Sequence, residues 1–214
     1  MHNEVIIRKE KAADEREVET VTREAFWNLF VPGCNEHYLA HILRFHKDFM
    51  PDLSYVAELD GRIIGNIMYA RSWVVDENGA TLNTLTFGPV SVHPKHQRRG
   101  IGSMLIVKTI EEAKAKNEPA IIIYGSPSNY CKFGFKSAKD FNISTQDGKY
   151  PFGMLALELK EGVLENRRWM FRESEVYNVD VAKAEEFDAL FEHKEKMYRY
   201  TQEEFKISCR AFIE

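Results

Sequence analysis

The sequence predicts an α/β fold, a sheet with helices packed on it, and three observations carry the prediction. Residues 120–124, Ala-Ile-Ile-Ile-Tyr, form a continuous apolar run, the pattern of a strand covered on both faces. A helix-length segment precedes that run and a further strand segment follows it, so strands and helices alternate through the middle of the chain. Residues 54–58 and 62–73 flank Asp60-Gly61, a two-residue turn that joins neighbouring strands as a hairpin.

The elements follow in order. Val5 to Ile7 is a β-branched run and opens the sheet. Residues 14–29 carry Val18, Val21, Ala25, Phe26 and Leu29 at helical spacing, and Pro32-Gly33 ends that helix. Residues 36–49 read as a second helix through Leu39, Ile42, Leu43 and Phe45, stopped by Pro51 and Asp52. After the hairpin, Glu77-Asn78-Gly79 marks another turn and residues 82–92 another strand. Gly88-Pro89 interrupts that strand. Proline cannot donate to a ladder and strand glycine marks a bulge, so the strand is expected to splay from its neighbour there. A loop at 93–99 leads into a helix from Gly100 to about Lys116. Ser126 to Asn129 opens a short helix that ends before Gly134, and residues 152–159 form a last clear strand.

Beyond about Lys160 the pattern changes. Residues 176–179 read as a strand, and residues 181–191 as a helix with Phe187, Leu190 and Phe191 on one face. Thr201-Gln202-Glu203-Glu204 has the form of a capping box, ahead of Phe205, Cys209, Phe212 and Ile213 at helical spacing. Residues 1–160 are therefore expected to form one domain, with residues 161–214 an extension packed on it. Trp169-Met170-Phe171 in that extension suits core packing, an acceptor pocket or a subunit contact.

Composition narrows the function. The chain has 214 residues and a formal net charge of −4, which argues against a nucleic-acid binder or an anionic-membrane binder. Three scattered cysteines, Cys34, Cys131 and Cys209, form no metal-ligand spacing and fit a reducing compartment. The start of the chain has no apolar signal core, and no stretch approaches the ~20 apolar residues of a membrane span, so a cytoplasmic location is expected. No metal is expected.

The segment that carries chemistry is Val90-Ser91-Val92-His93-Pro94-Lys95-His96-Gln97-Arg98-Arg99-Gly100-Ile101-Gly102: strand, loop, glycine turn, helix. A helix N-terminus presents unpaired N–H groups and a positive dipole end, and glycine lets the backbone close on an anion, which together make a phosphate site. The segment lacks the spacing of a P-loop or of a dinucleotide fingerprint. It resembles the central motif of the GNAT superfamily of acyl-CoA-dependent N-acetyltransferases, V-x-P-x-x-Q-x-x-G-x-G/A, with Val92, Pro94, Gln97, Gly100 and Gly102 at its fixed positions. Tyr130-Cys131-Lys132-Phe133-Gly134-Phe135 resembles the family's second motif, Y-x-x-x-G-F, and the resemblance spans roughly residues 4–160.

The resemblance implies a central mixed, mostly antiparallel twisted sheet, splayed between two central strands and flanked by helices on both faces, with a C-terminal extension. It implies acetyl-CoA as co-substrate. The pyrophosphate would lie on the turn formed by Gln97, Arg98, Arg99, Gly100, Ile101, Gly102 and Ser103, and the pantetheine along Val90, Ser91 and Val92, with Asn129 a further contact. The Val90 N–H would hold the oxyanion, and Tyr130 would be the general acid that protonates the leaving thiolate. The reaction implied is direct attack of a primary amine on the thioester, a small-molecule amine being favoured over a protein and a homodimer being compatible. The alternative is a noncatalytic acyl-CoA-binding sensor or interaction module of the same fold. No acidic residue lies in the strand ending at Val92, which leaves the general base open among Glu24, Glu36, His37, His41, His93 and water. Cys131 is read as a buried structural thiol, since only Lys132 is near it to lower its pKa.

Overall fold

In the computed structural model, which describes residues 4–214, the chain builds one nine-stranded sheet. The first residues of the expected domain, 1–3, lie outside the described residues. The strands β1 (Ile6–Lys9), β2 (Tyr55–Leu59), β3 (Arg62–Asp76) and β4 (Thr81–Val92) run antiparallel, each to the next. The β2–β3 turn places Asp60 and Gly61 at φ 53° and 74°, the paired left-handed geometry that an Asp-Gly hairpin turn needs. β5 (Ala120–Tyr124) lies parallel to β4, and β8 (Met154–Glu158) runs antiparallel to β5 and to the short β6 (Lys136–Ser137). Between them β7 (Ile143–Ser144) leaves this order to pair with β9 (Trp169–Arg172).

Helices cover both faces. On one, α3 (Ile101–Ala115) buries Ile101, Leu105 and Ile106 against Tyr69, Leu85, Phe87, Ile121 and Ile123. On the other, α1 (Glu15–Phe26) sets Val18 and Val21 on Val56 and Ile63, and α2 (Glu36–Leu43) sets Leu39 and Leu43 on Met68 and Ala70. β5 shows why its sequence is apolar throughout: Ile121 and Ile123 face α3, while Ala120 and Ile122 face Val74, Trp169 and Phe171. Burying each such isoleucine contributes roughly 1.5–3 kcal/mol.

The structure departs from the sequence expectations mainly near the ends of elements. α2 stops at Leu43 instead of running to 49, because the following backbone turns to β3: Arg71 N–H donates to the Asp48 carbonyl and Met50 N–H to the Tyr69 carbonyl. The expected strand at 176–179 is a 3₁₀ turn, Glu175–Tyr177, whose Val176 is buried under α2. The extension's real strand is β9, which continues the β3 edge by pairing Trp169 to Arg172 with Asp76 to Trp73. Leu190 is exposed, so of the expected apolar face only Phe187 and Phe191 pack inward, around His37. α5 (Val181–Asp188) is capped by Asp180, which accepts from the N–H groups of Ala182 and Lys183. α6 (Tyr200–Arg210) begins ahead of the expected capping box: the Thr201 hydroxyl instead donates to the Leu29 carbonyl at 2.8 Å. In α6 Phe205 stacks on Phe30, whereas Cys209 is exposed.

The extension holds the α1 region through polar contacts. Buried Arg23 donates to Asp188 at 2.6 Å, and the Gln202 amide donates to the Asn28 carbonyl at 3.1 Å.

Candidate active site

β4 and β5 meet at a single pair, Leu85 with Ile121. Beyond it the two strands diverge: β5 continues along β8 to Tyr124, while β4 runs to Val92 paired, among the described residues, only with β3. That divergence leaves one edge of β4 open, next to the Gly88-Pro89 interruption. Which groups line the edge follows from strand alternation. His93 N–H donates to the Ile64 carbonyl on β3, so Ser91 also turns its N–H toward β3, and Val90 and Val92 turn theirs to the open side. The Ser91 hydroxyl is likewise turned away, bonded to Asn66 and Thr22 beneath α1. Of the three strand residues expected to meet a pantetheine, Val90 and Val92 reach the splay and Ser91 does not. The Val92 carbonyl already accepts from the Gln97 amide at 3.0 Å, which ties the loop to the strand.

The loop ends in a cradle. Arg98 and Gly100 have φ of 61° and 82°, and this pair of left-handed residues turns the chain into α3. Gly100 is the position where that geometry demands glycine. The first helical bond runs from Met104 N–H to the Gly100 carbonyl, so the N–H groups of Ile101, Gly102 and Ser103 stay outside the ladder, at the positive end of the helix dipole. Arg98 and Arg99 are exposed beside them. The Ile101 side chain is buried in the core, so this residue offers only its backbone. Lys132, which the sequence marked only as a neighbour of Cys131, places Nζ 3.1 Å from the Ser103 hydroxyl and adds a third cation to this corner. The set of free N–H groups and cations fits a pyrophosphate.

Tyr130 closes the far end of α4 (Pro127–Tyr130), which starts just past β5. Its ring lies over Gly125 and against Phe87 of β4 and Phe135, with centroids 5.7 and 6.0 Å away, so it sits across the splay on the α3 side of the sheet. Burial pushes its pKa up, which keeps the phenol protonated at neutral pH. Asn129 is exposed, and Ser126 and Ser128 bond each other rather than capping the helix. Cys131 is exposed, contrary to its reading as a buried thiol, because the 3₁₀ turn Cys131–Phe133 rolls it outward.

A profile of the GNAT acetyltransferase domain matches residues 7–138, which contain the splayed strands, the glycine turn and Tyr130. The chain belongs to the GNAT acetyltransferase family. Two Escherichia coli K12 relatives share this GNAT sequence at low identity. The uncharacterized N-acetyltransferase YjhQ is 29% identical over 60% of this chain and 66% of YjhQ, just under two thirds of its length. The uncharacterized N-acetyltransferase YhbS is 27% identical over 65% of this chain and 78% of its own. Crystal structures agree in fold. YhbS from E. coli in complex with CoA superposes with a TM-score of 0.72 at 20% identity, covering 84% of this chain and 94% of YhbS. A GNAT acetyltransferase from Brucella melitensis in complex with acetyl-CoA gives 0.65 at 26% identity, covering 82% and 99%.

The residues considered as general bases in this GNAT chain each have a partner. Glu24 pairs with Lys194 at 2.7 Å and His41 with Glu19 at 2.9 Å. The Glu36 carboxylate accepts from Asn35 N–H, and His93 Nδ1 accepts from Lys95 N–H. His37 is fully buried between Cys34 Sγ at 3.4 Å and Asp188 Oδ1 at 3.2 Å. Cys34, His37 and Asp188 thus stand in a row resembling a nucleophile, a base and its orienting acid. Burial pushes the thiol up and the imidazole down to about 4, so the row has neither thiolate nor exposure and works as packing between α2 and α5. Among the described residues no group of three or more His, Cys, Asp or Glu is placed to hold a metal, and no helix is long and apolar enough to cross a membrane.

Proposed function

We propose that this GNAT chain transfers the acetyl group of acetyl-CoA to a primary amine by direct attack within a ternary complex. The observation that carries the reading is the convergence of three parts on one splay: the open β4 edge at Val90 and Val92, the α3 cradle, and Tyr130. The complexes of its structural relatives with CoA and acetyl-CoA support the choice of co-substrate.

The cradle from Gln97 to Ser103, with Arg98, Arg99 and Lys132, holds the pyrophosphate. The pantetheine extends β4 along Val90 and Val92, and exposed Asn129 is placed to contact it from α4. Alignment of thioester and amine in near-attack geometry supplies roughly 7–11 kcal/mol of the barrier reduction. The Val90 N–H, fixed on a strand and facing the splay, binds the oxyanion as it forms, a kind of contact worth about 10²–10³-fold. The Tyr130 phenol protonates the leaving thiolate, typically worth 10²–10⁴-fold. Residues 161–214 act as part of the same unit, since β9 completes the β3 edge. The acceptor is a small-molecule amine.

Thermal unfolding with and without acetyl-CoA tests the first half of this reading, with ATP and NAD as controls. Ligand at about 100 times its Kd stabilises by roughly 2.7 kcal/mol, and about 2–4 °C per kcal/mol is expected for a chain this size. CoA release on adding amines tests the second half. Binding without release would leave an acyl-CoA sensor, and no selective shift at millimolar acetyl-CoA would refute both readings.

A further inference from the structure

The sheet has a second face at the splay, built largely by the extension. Two adjoining cavities of about 430 and 230 Å³ share Gln146, Glu173 and Asn178, and the larger runs away from the splay to Trp73, Val75 and Thr81 at the hairpin end of β3 and β4. The smaller is walled by Tyr124, the last residue of β5, and by Phe171 of β9. Tyr124 precedes Gly125, the residue on which the Tyr130 ring rests. From the other side Tyr177 sends its hydroxyl to the Gly88 carbonyl at 3.3 Å, two residues before Val90 on β4. The smaller cavity therefore adjoins the diverging end of β5, on the face opposite α3 and Tyr130.

Glu173 is the charged residue that both cavities share. It follows β9 directly, is half-buried, and lines both cavities. Among the described residues nothing hydrogen-bonds or ion-pairs with its carboxylate. A carboxylate taken from water without a partner is costly unless something that visits the cavity supplies one. Burial first, and then the Glu173 charge, keeps the phenols of Tyr124 and Tyr177 protonated. The other charged groups around the cavities are Lys47 and Asp48 from the segment after α2, and Arg172 and Glu175 beside it in the chain. Asp48 is engaged by the Ser174 hydroxyl at 2.8 Å.

We propose that these cavities receive the acceptor, a small polar primary amine, and that Glu173 is the general base that takes its proton. The inference rests on the transferase reading above and names the group that reading lacks. The ammonium of the acceptor gives one proton to the Glu173 carboxylate. The freed lone pair attacks the thioester carbon, and the carbonyl electrons move to oxygen. When the intermediate collapses, the C–S bond breaks and the thiolate takes the Tyr130 proton. The second nitrogen proton returns to the Tyr130 phenolate, and Glu173 releases its proton to solvent. One amide, one CoA thiol and one proton result. The base thus stands on the acceptor's face of the splay and the acid on the α3 face. Burial pushes Glu173 up to about 7, which suits a base working near neutrality.

The test measures CoA release with ethanolamine, lysine, glucosamine and spermidine, for the wild-type chain and Glu173→Gln, from pH 5.5 to 9. The wild type should turn over at least one amine, with kcat at saturating amine rising through an apparent pKa near 7. Glu173→Gln should lower that kcat by about 100-fold or more, abolish the rising limb, and leave the acetyl-CoA Kd unchanged by calorimetry. A wild-type profile flat from pH 6 to 8, or a Glu173→Gln variant within threefold of wild type, overturns the base assignment while leaving the transferase reading intact. Acetyl-CoA binding with no release from any of the four amines overturns both.

Discussion

Gly125 lies directly under the ring of the proposed acid, and replacing it with alanine moves that acid without touching its chemistry. A Cβ at this position would stand 2.4 Å from Tyr130 Cε2, 2.9 Å from Cδ2 and 3.4 Å from Cζ. Carbon atoms in contact sit about 3.5–4.0 Å apart, so the ring must retreat by about 1 Å. Phe87 and Phe135 stand behind it, so the retreat is not free. Gly125 is not among the positive-φ glycines, so the substitution acts through the ring and not through backbone strain. Overpacking of this kind costs about 1–3 kcal/mol of stability, or a few degrees of midpoint for a chain this size. A misplacement of about 1 Å in a catalytic group costs on the order of 10²-fold in rate. Gly125→Ala is therefore expected to remain folded at 25 °C and to bind acetyl-CoA with little change, while kcat for CoA release falls by about 100-fold. Because the lesion passes through the Tyr130 hydroxyl, adding Gly125→Ala to Tyr130→Phe should cost little more than Tyr130→Phe alone. Wild-type kcat in folded Gly125→Ala would show that the position of Tyr130 is immaterial, and fully additive losses would show that the two residues act separately.

Gly100→Ala meets no atom of the described residues within 4 Å, so its effect is confined to the backbone at φ 82°. About 1–2 kcal/mol of strain is expected, read as a lowered midpoint, together with weaker acetyl-CoA binding as the cradle relaxes. Asp188→Ala leaves the buried Arg23 guanidinium without its carboxylate and should cost about 3–5 kcal/mol; a loss under 1 kcal/mol by urea denaturation would mean that the extension is not held there. His37 gives stability a pH dependence. Its imidazole titrates near 4 when folded against 6.5 when free, so the unfolded chain binds the extra proton between those values. The contribution is fully present above about 6.5 and is lost as pH falls toward 4, by on the order of 3 kcal/mol. Glu173 runs the opposite way, favouring the fold below its unfolded value and losing that contribution as pH rises through about 7, so the measurement belongs in Glu173→Gln. Stability there that stays level from pH 6.5 to 4.5 would remove His37 as the cause.

How much could be read in advance depends on how local the determinants are. The hairpin at Asp60-Gly61, the buried strand β5, the break at Gly88-Pro89 and the glycine turn before α3 are each specified by a few consecutive residues. Side-chain period, a missing N–H and left-handed φ act within one turn of chain, and those features stand where the pattern put them. The motif residues Val92, Pro94, Gln97, Gly100 and Gly102 likewise pointed to an anion cradle and to the family the chain belongs to. What only the tertiary structure decided involves residues far apart. β9 carries no turn signal of its own and is a strand because β3 is long enough to offer Trp73 to Asp76 as a partner edge. Lys132 reaches Ser103 only once α4 is folded back toward α3, and Cys131 turns out to solvent in the same movement. Glu173 is one glutamate among many in the sequence. It has no partner among the described residues, its cavity is built by Tyr124, Gln146 and Asn178 from three stretches of chain, and desolvation by distant segments leaves no mark on local pattern.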